Sequence, residues 1–236
     1  MVYHAKVSNV GSLYNDVLMS SLGPSFVIPG VEYIANNTEV PANTSSISAN
    51  FSFPVKSAKS LLFWFTNTAT ANGTITAGKL NSPITQRCFG GNLKEYYISV
   101  NGQNYPQQPI KTDAGSNLAL NNYQGVNGSI PFQQLLRCFN LNSSSNSGGI
   151  LSQVLYSSPV STWAGDASCK RTVLGIDLDR GSNDNDKYYQ GMNLLNTTTA
   201  LRCAWNTAPT ESQTMFSYMM HDCGFIIENG YVMVSR

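Results

Sequence analysis

The residues of this chain with the best chemistry for catalysis stand in one tripeptide, His221-Asp222-Cys223. A histidine can serve as the base that activates a cysteine nucleophile. Neighbours along a strand point to opposite faces, however, so the three side chains cannot converge on one substrate. A protease would need a partner from elsewhere in the fold, and the other histidine, His4, lies near the N-terminus. We interpret His221 as a turn or strand-end residue and predict no catalytic residue and no enzymatic activity.

A second group with possible chemistry consists of four aspartates. Asp177 and Asp179 lie two apart on a predicted strand and share a face, and Asp184 and Asp186 follow in a loop. Such carboxylates can bind a hard cation such as calcium, but the spacing is not that of an EF-hand loop and no bidentate glutamate closes it. We interpret the group as a solvated loop beside a strand end and predict no metal ion and no cofactor, while cation binding by these aspartates stays an open alternative.

The cysteines do not form a metal or redox motif. The five are Cys88, Cys138, Cys169, Cys203 and Cys223, and no CxxC pair occurs. This pattern argues against a zinc ribbon or a thioredoxin-like site and favours free, buried thiols in a reducing compartment. Residues 1–21 lack the apolar core of a signal peptide, so we expect a protein that is made in the cytoplasm and is not secreted.

The composition excludes several classes of protein. The 236 residues carry 14 Lys and Arg against 13 Asp and Glu, a net charge of +1, and only 11% are charged, against about 25% in ordinary soluble domains. Ser, Thr and Asn together make 70 residues. A chain without a basic footprint is not expected to bind duplex nucleic acid specifically. The longest continuous apolar run, residues 61–65, is far too short for a membrane span.

Alternating and continuous apolar segments predict an all-β fold. The predicted strands lie at 31–34, 50–55, 60–65, 95–100, 172–178, 201–205 and 214–221, and a closing hairpin at 224–234 has Asn229-Gly230 at its tip. Asn101-Gly102 is a type I′ turn signal. The candidate core residues are Phe51, Phe53, Phe63, Phe65, Ile176, Leu178 and Trp205.

One short helix interrupts the strand pattern. Phe132, Leu135, Leu136 and Phe139 recur at helical spacing after Ser129-Ile130-Pro131. Residues 12–21 predict a second, weaker helix. The remaining segments 66–87, 103–129, 140–149 and 181–191 predict long polar loops, which in a compact sandwich usually serve binding or contact with neighbours.

Aromatic residues offer one further possible site. Six of them can form either a sugar-stacking platform or the core, and strand spacing favours the core. They are Phe63, Trp64, Phe65, Tyr96, Tyr97 and Trp205.

The order of the elements is more specific than any single motif. A strand runs into the segment Asn101-Gly102-x-x-Tyr105-Pro106-x-x-Pro109-Ile110, and the helix and a polar loop follow it. Next come residues 173–180, a strand ending near Trp205 and the final hairpin. Over residues 25–236 this order resembles the C-terminal jelly roll of double jelly-roll major capsid proteins, from icosahedral DNA viruses of the adenovirus, polinton, virophage and large nucleocytoplasmic virus lineage.

The resemblance implies an eight-stranded jelly-roll β-sandwich with long loops and one or two short helices. It implies a structural capsid protein of the virion, or one jelly-roll half of it, that self-assembles into trimeric, pseudo-hexagonal capsomers. The implied partners are copies of itself or a second jelly-roll chain, neighbouring capsomers and minor capsid proteins. Residues 1–24 would then be an N-terminal arm or linker, and residues 25–236 the jelly-roll domain.

Two other functions remain open at the level of the sequence. A jelly-roll lectin or receptor-binding module would recognise glycan through exposed aromatic residues or aspartate-bound calcium. A glycan lyase or hydrolase would need paired acids in a groove, and the only clustered acids are the four aspartates of residues 177–186.

Overall fold

The computed structural model describes residues 25–68, 93–112, 129–139, 173–179, 191–228 and 231–235. These ranges contain nine strands and one helix: β1 (Ser25–Val40), β2 (Ser46–Phe51), β3 (Ala58–Asn67), β4 (Leu93–Val100), β5 (Gln103–Lys111), α1 (Ser129–Cys138), β6 (Leu174–Asp177), β7 (Thr199–Trp205), β8 (Gln213–Glu228) and β9 (Tyr231–Ser235). No helix in these ranges has the length and hydropathy of a membrane span. The predicted helix at 12–21, the loop tip at 140–149, Cys88, Cys169, Asp184 and Asp186 lie outside the described residues.

The strands form two antiparallel sheets. Sheet one has the order β1-β8-β3-β6, with β9 also paired to β8, and sheet two has the order β2-β7-β4-β5. Along the chain, β1 pairs with β8, β2 with β7, β3 with β6 and β4 with β5. This nested pairing is that of one long hairpin rolled into two sheets, which is the jelly roll. The predicted all-β jelly-roll sandwich is therefore confirmed, with β9 as an added ninth strand.

The core lies between the two sheets and follows the period-2 alternation of strands. In β7, Leu201, Cys203 and Trp205 are buried, as predicted. All seven candidate core residues predicted from the sequence belong to the main buried cluster.

Two predicted strands differ from the structure, one in where it ends and the other in how it is buried. The predicted strand 50–55 ends at Phe51, because Pro54 has no N–H for a ladder and the Val55 N–H donates to the Phe53 carbonyl instead, at 2.8 Å. The run 60–65 is apolar from residue 61 onward, which predicts a strand buried on both faces, but only one face is buried: Phe63 is fully buried, whereas Trp64 on the opposite face is partly exposed.

Two larger expectations were also wrong. Residues 103–111, predicted as part of a long loop, form β5, because β4 supplies its hydrogen-bonding partner. Residues 214–221 and 224–228, predicted as separate strands, form the single sixteen-residue β8. Its pairing of Glu228 with Tyr231 is that of the predicted two-residue hairpin, whose tip is outside the described residues.

The predicted turn between β4 and β5 is confirmed. Asn101 and Gly102 have φ values of 50° and 80°, as a type I′ turn requires. The Asn101 side chain also accepts a hydrogen bond from the Thr198 N–H at 3.0 Å, which attaches the turn to the start of β7. The turn thereby fixes the register of the two middle strands of sheet two.

The helix α1 packs on β6 at the outer side of sheet one. Leu135 and Cys138 are buried there, whereas Phe139, predicted on the buried face, is 47% exposed. A Cβ at Gly175 would lie 2.7 Å from the Cys138 Sγ and 3.2 Å from the Leu135 Cα. Close packing of α1 on β6 therefore depends on a glycine at position 175.

Tyr96 of sheet two contacts β6 at the same residue, Gly175. Its ring packs edge-on against Phe63, with centroids 5.2 Å apart, and its hydroxyl donates to the Gly175 carbonyl at 3.3 Å. Tyr96 is fully buried, so this hydrogen bond satisfies a hydroxyl that water cannot reach. Helix α1, sheet one and sheet two thus meet at Gly175.

The thiols agree with the sequence prediction within the described residues. Cys138 and Cys203 are free thiols, and Cys138, Cys203 and Cys223 are all buried. Burial raises the pKa of the Cys138 and Cys203 thiols, which therefore stay protonated.

Substituting Gly175→Ala should lower the free energy of unfolding by about 1–3 kcal/mol, because the new methyl group overpacks the contact with α1. The measurement is urea denaturation of the wild type and the variant. In a Cys138→Ala background the Sγ is absent, so the cost of Gly175→Ala should fall by at least about 0.5 kcal/mol. An equal cost in both backgrounds would contradict this account of the helix packing.

Candidate functional site

The tripeptide His221-Asp222-Cys223 lies inside β8 and not at a strand end. All three residues are buried, with exposures of 0%, 2% and 1%. His221 and Cys223 face the interior side of sheet one, and Asp222 faces the opposite side. The prediction of a turn or strand-end position was therefore wrong, and the tripeptide is not accessible to a substrate from solvent.

Asp222 is the centre of a buried polar cluster. Its Oδ2 accepts a hydrogen bond from the Ser57 hydroxyl at 2.6 Å, and its Oδ1 lies 2.9 Å from the Lys59 Nζ. The Ser57 Oγ accepts in turn from the Gly191 N–H at 3.0 Å. A bulge between Ala58 and Ser60 interrupts the ladder of β3 at Lys59. The cluster thus attaches β3, β8 and the segment after residue 190 to one another.

His221 contributes to the same region from the other face. Its Nδ1 lies 3.0 Å from the Asp222 carbonyl oxygen, and its Nε2 lies 3.6 Å from the Glu32 Oε2 on β1. Sequence reasoning missed this cluster because Ser57 and Asp222 are 165 residues apart. The cluster consists of buried groups that are paired and hydrogen-bonded to one another, and such groups hold strands together.

The aspartates predicted as a possible cation site are only partly described. The Asp177 Oδ1 accepts a hydrogen bond from the Asp179 N–H at 3.1 Å, which closes a turn at the end of β6. Burial raises the pKa of the Asp177 carboxyl. In the part of the chain that the structure describes, no three His, Cys, Asp or Glu side chains are grouped to hold a metal ion.

The aromatic residues divide between the core and the outer surface. Phe63, Phe65, Tyr96 and Trp205 are buried, as the core interpretation predicts. Trp64 is partly exposed and stacks on Phe216 and Tyr218, with centroids 5.7 and 5.2 Å apart and interplanar angles of 22° and 9°. A glycan platform would therefore have to be built without most of the aromatic residues proposed for it.

The stacked rings belong to an apolar surface on sheet one. Strand register places one side chain from each of β1, β8 and β3 beside one another on the face opposite the core. We call this surface the outer strip, and it comprises Val31, Tyr33, Leu62, Trp64, Phe216, Tyr218 and Met220. Tyr33 is 52% exposed and Val31 is 43% exposed, whereas the other five are partly covered. On β1 the residues paired with Phe216 and Tyr218 are Asn37 and Ala35, so the strip reaches Tyr33 through Met220.

Sheet two presents a different outer face. Its exposed outward residues include Ser46, Ser48, Asn50 and Arg202. The large hydrophobic residues that are exposed in the described ranges lie on β1, on β9, on α1 or directly after α1, elements that belong to sheet one or pack on it: Val27, Ile28, Val31, Tyr33, Ile130, Phe139, Met233 and Val234. Within the described ranges, exposed apolar residues therefore occur on sheet one and beside it and not on sheet two, and exposed apolar patches mark interaction surfaces.

Comparison with known proteins gives similar solved structures but no matching family. No protein-family model matches the chain, and the search of curated proteins found no match. Among solved structures, the chain is similar to VP54 of PBCV-1, fitted into a reconstruction of the virophage Sputnik, with 12% identity, a TM-score of 0.46, and coverage of 90% of this chain and 51% of that one.

Two further neighbours come from virophage structures. The match in the Sputnik virophage has 11% identity, a TM-score of 0.45 and coverage of 90% and 39% of the two chains. The match to the mavirus major capsid protein has 9% identity, a TM-score of 0.44 and coverage of 91% and 42%. The chain thus spans about half, or less, of the proteins that it matches, and likeness at this level of identity concerns the fold.

Replacing Lys59 with Met should lower the free energy of unfolding by about 3 kcal/mol, because it leaves the buried Asp222 carboxylate without its cation. Urea denaturation measures the change. The double variant Lys59→Met with Asp222→Asn should be more stable than Lys59→Met alone, since the amide is neutral and still accepts from Ser57. A Lys59→Met protein as stable as the wild type would refute the ion pair.

Proposed function

We propose that this chain is a jelly-roll unit of a viral capsid protein, which assembles by packing the outer strip of sheet one against another jelly-roll domain. The observation that carries the proposal is the asymmetry of the sandwich. The apolar strip lies on the outer face of sheet one, where Val31 and Tyr33 are exposed, while the outer face of sheet two carries exposed polar residues that suit contact with water.

The sequence resemblance supports the same role. The segment that carries most of it, residues 96–110, forms the β4–β5 hairpin, and Gly175 to Asp179 forms β6 and the turn after it. Fold alone does not assign function, since jelly rolls serve many purposes. Here the fold, the motif order and the open apolar face agree with one another.

The chemistry of the strip fits a permanent protein contact. Aromatic residues and methionine are enriched in the centres of protein interfaces, and charged residues are depleted there. Within the strip, stacked Trp64, Phe216 and Tyr218 form a rigid centre, and Tyr33 is the member most available to a partner. Tyrosine is among the residues that most often contribute a large share of the binding energy of an interface.

The proposed partners follow from this role. They are copies of this chain or a second jelly-roll chain in a trimeric, pseudo-hexagonal capsomer, then neighbouring capsomers and minor capsid proteins. The proposed location is the virion, after synthesis in the host cytoplasm without secretion. Residues 1–24 are proposed as an arm or linker to such a partner domain, and the role is structural and not enzymatic.

Substituting Tyr33→Lys should weaken self-association, because it places a strongly hydrated charge in the outer strip. We expect the dissociation constant of the assembled species to rise at least tenfold, which is about 1.4 kcal/mol. Light scattering coupled to size-exclusion chromatography, over a range of concentrations, measures it.

Ser48→Lys provides the matched control, since Ser48 is an exposed residue on the outward face of sheet two. It should assemble like the wild type, and both variants should keep the wild-type melting temperature. A wild type that stays monomeric at high concentration, or equal loss in both variants, would reject the proposed assembly face.

A further inference from the structure

His221 is a buried histidine whose two ring nitrogens both face oxygen atoms. Its side chain is 0% exposed. The Nδ1 atom lies 3.0 Å from the carbonyl oxygen of Asp222, and the Nε2 atom lies 3.6 Å from the Oε2 atom of Glu32. Buried polar atoms are costly unless they are satisfied, so the nature of these two oxygens matters.

The two oxygens decide which protonation state of His221 fits its surroundings. A neutral imidazole has one N–H donor and one bare acceptor nitrogen, whereas the imidazolium has two donors. The Asp222 carbonyl only accepts, and so does the Glu32 carboxylate when it is ionised. With Nδ1–H donating to the carbonyl, a neutral ring turns the lone pair of Nε2 toward a negative charge. A proton between Nε2 and Glu32 changes this repulsion into an attraction.

The pair joins the edge strand of sheet one to its neighbour. Glu32 of β1 and His221 of β8 are cross-strand partners. Glu32 stands between Val31 and Tyr33, the exposed members of the outer strip, and its side chain points to the core side of the sheet. A contact that fixes Glu32 therefore also fixes the backbone that carries Val31 and Tyr33.

The other described groups around His221 have less influence on its charge. The β3 residue paired with it is Ala58, and the next residue on the same face of β8 is Cys223. Asp222 has its carboxylate on the opposite face, where Lys59 lies 2.9 Å away and offsets its charge. The main buried cluster, as far as the structure describes it, contains no acidic or basic side chain. The β1 carboxylate is thus the described charge that acts most directly on the ring.

We propose that the folded protein holds one proton between His221 and Glu32, and that this proton attaches β1 to β8 in a pH-dependent way. Hydrogen bonds between ions are stronger than neutral ones. The folded chain binds this proton more tightly than the unfolded chain does, so the stabilisation is lost as the pH rises and His221 releases it. At a pH low enough to protonate Glu32 the carboxylate loses its charge, and the pair weakens again.

One consequence rests on the proposed function. Loss of the proton loosens β1 locally and displaces Val31 and Tyr33, so assembly through the outer strip should weaken at alkaline pH.

The test uses the full chain at a concentration where it is monomeric, so that it does not depend on assembly. Nitrogen NMR distinguishes an imidazolium from a neutral imidazole, and a His4→Gln background leaves His221 as the only histidine. Near neutral pH, His221 should be an imidazolium. In Glu32→Gln it should be neutral, because the glutamine amide can donate to Nε2. Glu39→Gln is the matched control on the outward face of β1 and should retain the imidazolium.

Hydrogen exchange measures the attachment of β1 in the same proteins. Protection factors of residues 30–34, corrected for the intrinsic pH dependence of exchange, should fall at least about fivefold from neutral to mildly alkaline pH in the wild type and in Glu39→Gln. In Glu32→Gln they should change by less than about twofold, and exchange of β4 and β7 reports whether each variant is folded. If Glu32→Gln raises exchange there, His221→Gln replaces it and should likewise remove the pH dependence.

Two results would overturn the proposal. One is a neutral His221 ring in the wild type near neutral pH, and the other is equal pH dependence in the wild type and in Glu32→Gln. A wild type that never assembles would reject the assembly face but would change neither measurement, so the two failures can be distinguished.

Discussion

The length of β8 is the constraint on which the rest of sheet one depends. Backbone N–H and C=O groups of a central strand need partners on both sides. Over sixteen residues β1 supplies one side completely, while β3 supplies the other only as far as His221 and β9 pairs from Gly224 onward. Where β1, β8 and β3 run together they form the outer strip, and where β9 replaces β3 they form a three-stranded extension of residues 25–29, 224–228 and 231–235. Both surfaces are thus consequences of one long strand with two successive partners.

Local patterning was sufficient for much of this fold. Alternation predicted the inward residues of β7, and Asn101-Gly102 predicted the turn between β4 and β5. Both features depend only on residues that are neighbours in sequence. Strand β5 was missed, since its residues Gln103 to Lys111 are mostly polar and contain two prolines, and only pairing with β4 makes them a strand. The predicted break in the strand around Asp222 was wrong for a related reason. Ser57 and Lys59, which are distant in sequence, provide the partners that allow a carboxylate inside β8.

The outer strip could not be predicted from the sequence. Residues 61–65 are apolar at every position, a pattern typical of a strand covered on both faces. Sequence gives no indication of whether the second cover comes from the same domain. Within the described structure α1 covers the face of β6 at Gly175, but Trp64 is covered mainly by its stacked neighbours Phe216 and Tyr218. The strand order was needed to show that Tyr33 of β1 continues the same apolar face to the edge of the sheet.

An apolar surface on a protein with so few charges carries a risk of aggregation, since single-sign repulsion at a net charge of +1 is weak. The geometry limits that risk. Within the described residues, sheet two is polar on its outer face, so the exposed apolar surface is concentrated on sheet one and the elements joined to it. Along the edge strand β1, Glu32 and Glu39 alternate with apolar residues, and charges of this kind disfavour uncontrolled strand addition. Concentrating the apolar surface on one sheet limits the orientations in which copies can meet, and whether an assembly closes or stays open depends on the symmetry of those contacts.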